Sequence, residues 1–123
     1  RMQRLPSEQM KNFIYINPRT DVAIVATLPE AYGDEIVGVG RYYLDETDNM
    51  AEVAFTVRDS WQNHGIGTML FEKLSAIAKS NAISGFKAEV LSDNYMMQSV
   101  LNKSADEVTS KRDDNSITYR IKF

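Results

Sequence analysis

The chain has 123 residues, a net charge of −3, 25% charged residues and 43% apolar ones, the composition of one globular domain long enough to bury a single core. That charge gives no reason to expect nucleic acid or an anionic membrane as partner, which call for a basic patch, and no apolar run reaches membrane-spanning length. With no cysteine and a single histidine, disulfides and thiol catalysis are excluded, no ligand set for a metal is expected, and a cytoplasmic location is.

From the N-terminus, Pro6, Ser7, Glu8 and Gln9 read as a helix start, with Met10, Phe13 and Ile14 as its apolar face. A turn over 17–21 leads into 22–28, whose continuous apolar run predicts a strand buried on both faces. A loop over 29–34 precedes a strand over 35–44, in which Gly38 and Gly40 predict a bulge or a close approach of backbone. Residues 45–49 form a polar turn. Met50 stands where a calcium loop needs glycine and no Glu lies twelve along from Asp45, so the turn is read as solvated. Residues 51–57 alternate as a strand. Beyond them Ile66, Leu70, Leu74, Ile77 and Ala78 recur at helical spacing, and the helix fades near Asn81. Ser84 and Gly85 turn into a strand over 86–91. Ser92, Asp93 and Asn94 supply caps for a short helix carrying Met97, Val100 and Leu101. A charged turn over 111–116 separates two edge-like strands, the second alternating cleanly at Ile117, Tyr119, Ile121 and Phe123. There are no repeats or internal linkers. Residues 1–123 make one α/β (α+β) domain. The start at Arg1, with no signal-peptide pattern, predicts a piece of a longer multidomain polypeptide.

The chemistry-bearing stretch joins the strand ending at Val57 to the long helix. Its two glycines, Gly65 and Gly67, fall at the join, where a helix N-terminus offers unpaired N–H donors and a partial positive charge to a phosphate anion. A dinucleotide fingerprint would need a glycine at Leu70, and a Walker loop would need a lysine that is absent. The match is to Gln62-x-x-Gly65-x-Gly67 entered from a strand, a candidate pyrophosphate cradle.

The segments 36–44 (Ile-Val-Gly-Val-Gly-Arg-Tyr-Tyr-Leu), 51–55 (Ala-Glu-Val-Ala-Phe) and 61–68 (Trp-Gln-Asn-His-Gly-Ile-Gly-Thr) together resemble the GNAT N-acetyltransferase family, above all the acetyltransferase domains of bacterial protein-lysine acetyltransferases. The likeness runs from about Pro6 to the end of the chain. It implies a mixed, mostly antiparallel sheet flanked by helices, with the first strand and helix of the full fold missing here. It implies acetyl-CoA as cosubstrate, no metal, and fusion to an acyl-CoA synthetase-like or sensor domain. By that resemblance the backbone at Thr56, Val57 and Arg58 meets the pantetheine arm. The loop Gln62, Asn63, His64, Gly65, Ile66, Gly67 and Thr68 holds the pyrophosphate, His64 through its backbone, and Asn94 faces the cofactor arm. Glu52 stands where relatives carry a general base; the competing role is an edge carboxylate in a salt bridge. Strand alternation puts it opposite Val53, Phe55 and Val57, and apolar walls are expected to raise its proton affinity. Leu101 takes the place of the tyrosine that protonates the leaving thiolate in the family, and Tyr95 lies nearby. Three functions follow: acetyl transfer to a primary amine, above all a protein lysine; acyl-CoA sensing with turnover lost; and acetyl transfer to a small-molecule amine.

Overall fold

In a computed structural model the described residues are 13–17, 19–27 and 35–123. Strands β1 (Phe13–Asn17), β2 (Asp21–Thr27), β3 (Ile36–Asp45) and β4 (Met50–Val57) form antiparallel hairpins. Helix α1 (Ile66–Ser80) crosses over to β5 (Gly85–Leu91), which lies parallel to β4. A parallel neighbour requires such a crossover. Helix α2 (Tyr95–Asn102) and the hairpin of β6 (Glu107–Arg112) and β7 (Ser116–Lys122) complete a seven-stranded sheet in the order β1-β2-β3-β4-β5-β7-β6. This is the mixed, mostly antiparallel α/β architecture expected.

One face of the sheet holds the core. Val22, Ile24, Tyr42, Val53, Phe55, Phe86, Tyr119 and Ile121 pack there beneath Leu70, Phe71 and Leu74 of α1 and Met97, Val100 and Leu101 of α2. The rings of Tyr42 and Phe71 each stand 5.8 Å from that of Phe86 and tilted to it, a favoured arrangement for buried aromatic pairs. Gly38 and Gly40 lie under α1, where an added Cβ would come within 3.0 Å of Ile66 and of Leu74. Close backbone approach is thus the reading that holds for them. On the opposite face Arg41, Tyr43, Glu52, Ala54, Thr56, Glu89, Thr118 and Arg120 are exposed.

Three expectations are corrected. Phe13 and Ile14 belong to strand β1, not to a helix; the rest of that expected helix lies outside the described residues. A run of aromatic and β-branched residues suits a pleated surface better, and the turn bond from Thr20 N to Asn17 O (2.9 Å) closes it onto β2. Strand β2 is buried at Val22, Ile24 and Ala26 but only partly covered at Ala23 and Val25, because both helices sit on one side of the sheet. Finally, β7 is not an edge: it lies between β5 and β6, which explains its buried alternation, while β6 is exposed along almost all its length.

Candidate active site

Strand β4 is paired along its whole length with β3, from Asp45↔Met50 to Gly38↔Val57. Its other edge behaves differently. It pairs with β5 only at Met50↔Gly85, Ala51↔Phe86 and Glu52↔Lys87. From Val53 to Val57 the two strands part, and β5 keeps its antiparallel partner β7 out to Leu91↔Ser116. In a strand, alternate residues turn their N–H and C=O groups to the same edge. The gap is therefore walled by main-chain donors and acceptors that no described strand satisfies, a surface suited to an extended, amide-bearing ligand.

The cradle loop lies at the mouth of this gap. Beyond Val57, a single 3₁₀ turn (Asp59–Trp61) leads to Gln62. The Gln62 side chain donates to Val57 O (3.0 Å) and Asp59 Oδ1 (3.3 Å), so it ties the loop to the strand end. Asn63 and Gly65 have positive φ, 67° and 84°, and Gly65 is the N-cap of α1. At such a φ a side chain is strained, which is the reason for glycine there. No side chain caps the helix and no acidic residue occupies its first turn. The first closing bond runs from Met69 N to Gly65 O (3.0 Å), leaving the N–H groups of Ile66, Gly67 and Thr68 without acceptors in the helix. His64 is half-buried, its ring centroid 5.6 Å from that of Trp61.

The loop and α2 enclose a cleft of about 340 Å³, lined by Val57, Trp61, Gln62, Asn63, Gly65, Ile66, Gly67 and Thr68 on one side and Met96, Ser99, Val100 and Lys103 on the other. Gly67 also has a packing role that its place in the loop does not announce. A Cβ there would lie 3.0 Å from Met96 Sδ and 3.2 Å from Val100 Cγ2, so its bare backbone brings α2 against α1 as well as opening the loop. Lys103, invisible to motif reasoning, supplies the cleft with a cation. As the C-cap of α2 it reads in sequence as an ordinary complement to the helix dipole.

The other expected residues are distributed around the gap. Thr56 is on the exposed sheet face and Val57 is buried. Arg58 donates its main-chain N–H to Val37 O (2.9 Å) and pairs its guanidinium with Glu35, so that N–H is already committed to β3. Asn94 is the N-cap of α2, accepting at Oδ1 from Met97 N (3.2 Å); it lies just beyond the end of β5, outside the cleft lining. Leu101 is fully buried, whereas Tyr95 is 73% exposed. Among the described residues no tyrosine lines the cleft.

Glu52 occupies the last β4–β5 rung before the strands part. It is exposed and lines a cavity of about 450 Å³ with Tyr43, Leu44, Asp45 and Glu46. The apolar walls expected around it face the other way, because Val53, Phe55 and Val57 point into the core. No described residue forms an ion pair with Glu52; its cross-strand neighbour Lys87 pairs with Asp45 (2.7 Å) and Asp48 (2.9 Å). The hydrogen bond from Lys87 is the largest influence holding both aspartates below the ordinary carboxylate range, and the two aspartates raise Lys87. The turn over 45–49 is therefore an ion-pair platform as well as a solvated turn. Among the described residues no cluster of three metal-ligating side chains occurs, and no helix is long and apolar enough to cross a membrane.

Comparison with known proteins bears on this geometry. The model of the acetyltransferase (GNAT) family matches residues 3–104. The chain is 43% identical over 100 residues to Acetyltransferase Pat of Mycolicibacterium smegmatis (strain ATCC 700084 / mc(2)155), covering 81% of this chain and 30% of that protein. The chain thus spans under a third of the length of this curated relative. The crystal structure of the GNAT domain of S. lividans PAT superposes with a TM-score of 0.73 at 28% identity, covering 87% of this chain and 63% of that one. A candidate streptothricin acetyltransferase from Bacillus anthracis str. Ames, in complex with acetyl coenzyme A, shares the fold with a TM-score of 0.70 at 19% identity, covering 89% and 67%.

Proposed function

The chain belongs to the acetyltransferase (GNAT) family, and from that premise we propose that it moves an acetyl group from acetyl-CoA to the ε-amine of a protein lysine. One observation carries this reading: the half-open β4–β5 seam has an uncapped helix N-terminus at its mouth and, at its closed end, a carboxylate with no ion pair among the described residues. The N–H groups of Ile66, Gly67 and Thr68, with Lys103, hold the pyrophosphate; Gln62, Asn63, His64 and Gly65 shape the loop that presents them. The pantetheine arm runs along the open edge of β4 past Thr56 and Val57, with Arg58 at the strand end and Asn94 facing it from across the gap. From Val57 to Glu52 is five residues, about 17 Å of strand, so the arm is extended and its thioester reaches the rung of Glu52.

A lysine amine has a pKa of about 10.4 and is mostly ammonium at neutral pH, so it must lose a proton before it can attack. Glu52, directly or through a water, takes that proton. The amine nitrogen then bonds to the thioester carbonyl carbon, the C–S bond breaks, and the CoA thiolate leaves. With Leu101 buried in the core, that thiolate is protonated by solvent, which is tolerable because a thiolate is a far better leaving group than an alkoxide, a cysteine thiol for comparison having a pKa of about 8.5. The resemblance of segments 36–44, 51–55 and 61–68 to bacterial protein-lysine acetyltransferases favours a protein acceptor. This chain spans 30% of the relative named Acetyltransferase Pat, which is compatible with the longer polypeptide, carrying a synthetase-like or sensor domain, that the resemblance implies. The exposure of Glu52 keeps a second reading in view, an acyl-CoA-binding regulatory module with weak turnover.

Thiol release from acetyl-CoA with and without a lysine peptide tests both. Glu52→Gln should lower kcat/KM for the peptide roughly 10²–10⁴-fold at pH 7 with acetyl-CoA affinity unchanged, the deficit shrinking as pH rises. An unchanged rate removes Glu52 from the chemistry. Tight acetyl-CoA binding with no transfer to any amine selects the regulatory module, and transfer confined to free small amines selects a small-molecule enzyme.

A further inference from the structure

Glu52 and Lys87 are register partners on adjacent strands, both on the face away from the helices. Opposite charges placed side by side across a sheet attract, and pairing is the expected outcome. The structure shows otherwise. Lys87 Nζ donates to Asp45 Oδ2 (2.7 Å) and Asp48 Oδ2 (2.9 Å), and among the described residues Glu52 has no ion pair. Both aspartates are pre-aimed. Asp45 Oδ1 accepts from Thr47 N (3.0 Å) and Thr47 Oγ1 (2.7 Å), and Asp48 Oδ1 accepts from Met50 N (3.0 Å). Each carboxylate thus uses one oxygen to shape the turn and turns the other to Lys87. The turn is itself anchored beside the start of β5. Asn49 Nδ2 donates to Ala82 O (2.9 Å), and Ser84 Oγ donates to Asn49 O (2.7 Å).

We propose that the β3–β4 turn is a cation trap: Asp45 and Asp48 draw Lys87 away from Glu52 and so keep that carboxylate free to accept the proton of the acceptor amine. The inference rests on the reading of Glu52 as base. A lysine paired directly to Glu52 would favour the charged carboxylate and weaken it as a proton acceptor. With the lysine held by two aspartates, the three groups together carry one negative charge, and Glu46 adds another in the same cavity. The remaining groups near Glu52 are Tyr43 beside it on β3, Arg41 one step along β3, and Glu89 one step along β5. Arg120 lies 3.7 Å from Asp48. The trap keeps its charges across neutral pH, since its carboxylates are held low and its amine high.

The test uses the full-length protein. In Asp45→Asn with Asp48→Asn, the amide oxygens can still accept from Thr47 and Met50, so the turn is kept while its charges vanish. Freed, Lys87 pairs with Glu52. The kcat for a lysine peptide at pH 7 should then fall about three- to tenfold, with KM for acetyl-CoA unchanged. The acid limb of the pH–kcat profile should move down by about one pH unit. Adding Lys87→Met to that background removes the cation and should return both rate and limb toward the parent. The limb position does not depend on the fraction of active protein, so partial unfolding cannot mimic the shift. A double variant with the parent rate and limb overturns the trap, as does failure of Lys87→Met to restore them. Glu52→Gln in parallel separates the two ideas. If it is inactive while the double variant matches the parent, only the trap is wrong. If it keeps the parent rate, the reading of Glu52 as base fails and the trap with it.

Discussion

The two ends of the β4–β5 seam are built from similar residues and do opposite things. At the closed end, three rungs, the buried Phe86 and the turn over 45–49 join the strands. At the open end β4 continues to alternate between core and solvent, yet among the described residues its free edge has no strand partner and α2 stands off across the cleft. The side-chain pattern that makes a strand is therefore independent of what its backbone edge is used for. Packing fixes one, and the divergence of the neighbouring strand sets aside the other.

Breaking the closed end should have the larger effect on folding. Phe86 is fully buried, and its ring meets those of Tyr42, Phe71 and Phe123. Phe86→Ala should cost about 3–5 kcal/mol in urea unfolding; a loss below 1 kcal/mol would mean that the seam does not depend on this ring. At the open end, Gly65→Val forces a side chain into the left-handed region at φ 84°. It should cost only about 1–2 kcal/mol of stability while weakening CoA binding about tenfold or more in calorimetry. A variant that loses stability but binds CoA as the parent does would separate the loop from the ligand. The smallest effect sharpens the role of the turn. Lys87→Met should lower stability by a difference that is flat at neutral pH and vanishes at both extremes. Asp45 and Asp48 have lowered values, so their contribution is present above about pH 4 and lost as pH falls through those values. Lys87 has a raised value, so its contribution is present below about pH 10 and lost as pH rises through it. Salt should shrink the difference throughout. A pH-independent difference would mean that Lys87 acts through packing alone.

Local periodicity made much of this legible in advance. Residues 51–57 and 117–123 alternate, the helix after Gly65 repeats its apolar positions, and Asn94 caps the next helix, all from neighbours a few residues apart. The segment at 13–17 was misleading because Phe13 and Ile14, three and four residues after Met10, suit a helix face but also suit a strand, and only the pairing with β2 decides. The gap itself was not legible, since it depends on where β5 leaves β4, some 35 residues later in the chain. The same distance hid the partners of Lys87 and the packing of Gly67 against Met96. Glu52 could be placed on its face by alternation, but its solvent exposure depends on the helices lying on the other side.

Three rungs also make a short weld between two plates, one of β1 to β4 and the other of β5, β7 and β6. Along the rest of that boundary the plates are held by what bridges them from above, chiefly α1 and α2. On the proposed function, an extended arm lying in the gap would add main-chain bonds where the sheet has none, and so would act as a splint. Occupancy and stiffness are then thermodynamically linked, because a ligand bound only by the assembled form stabilises that form in proportion to the logarithm of its concentration. The cosubstrate proposed for this gap would then be a temporary structural member of the sheet.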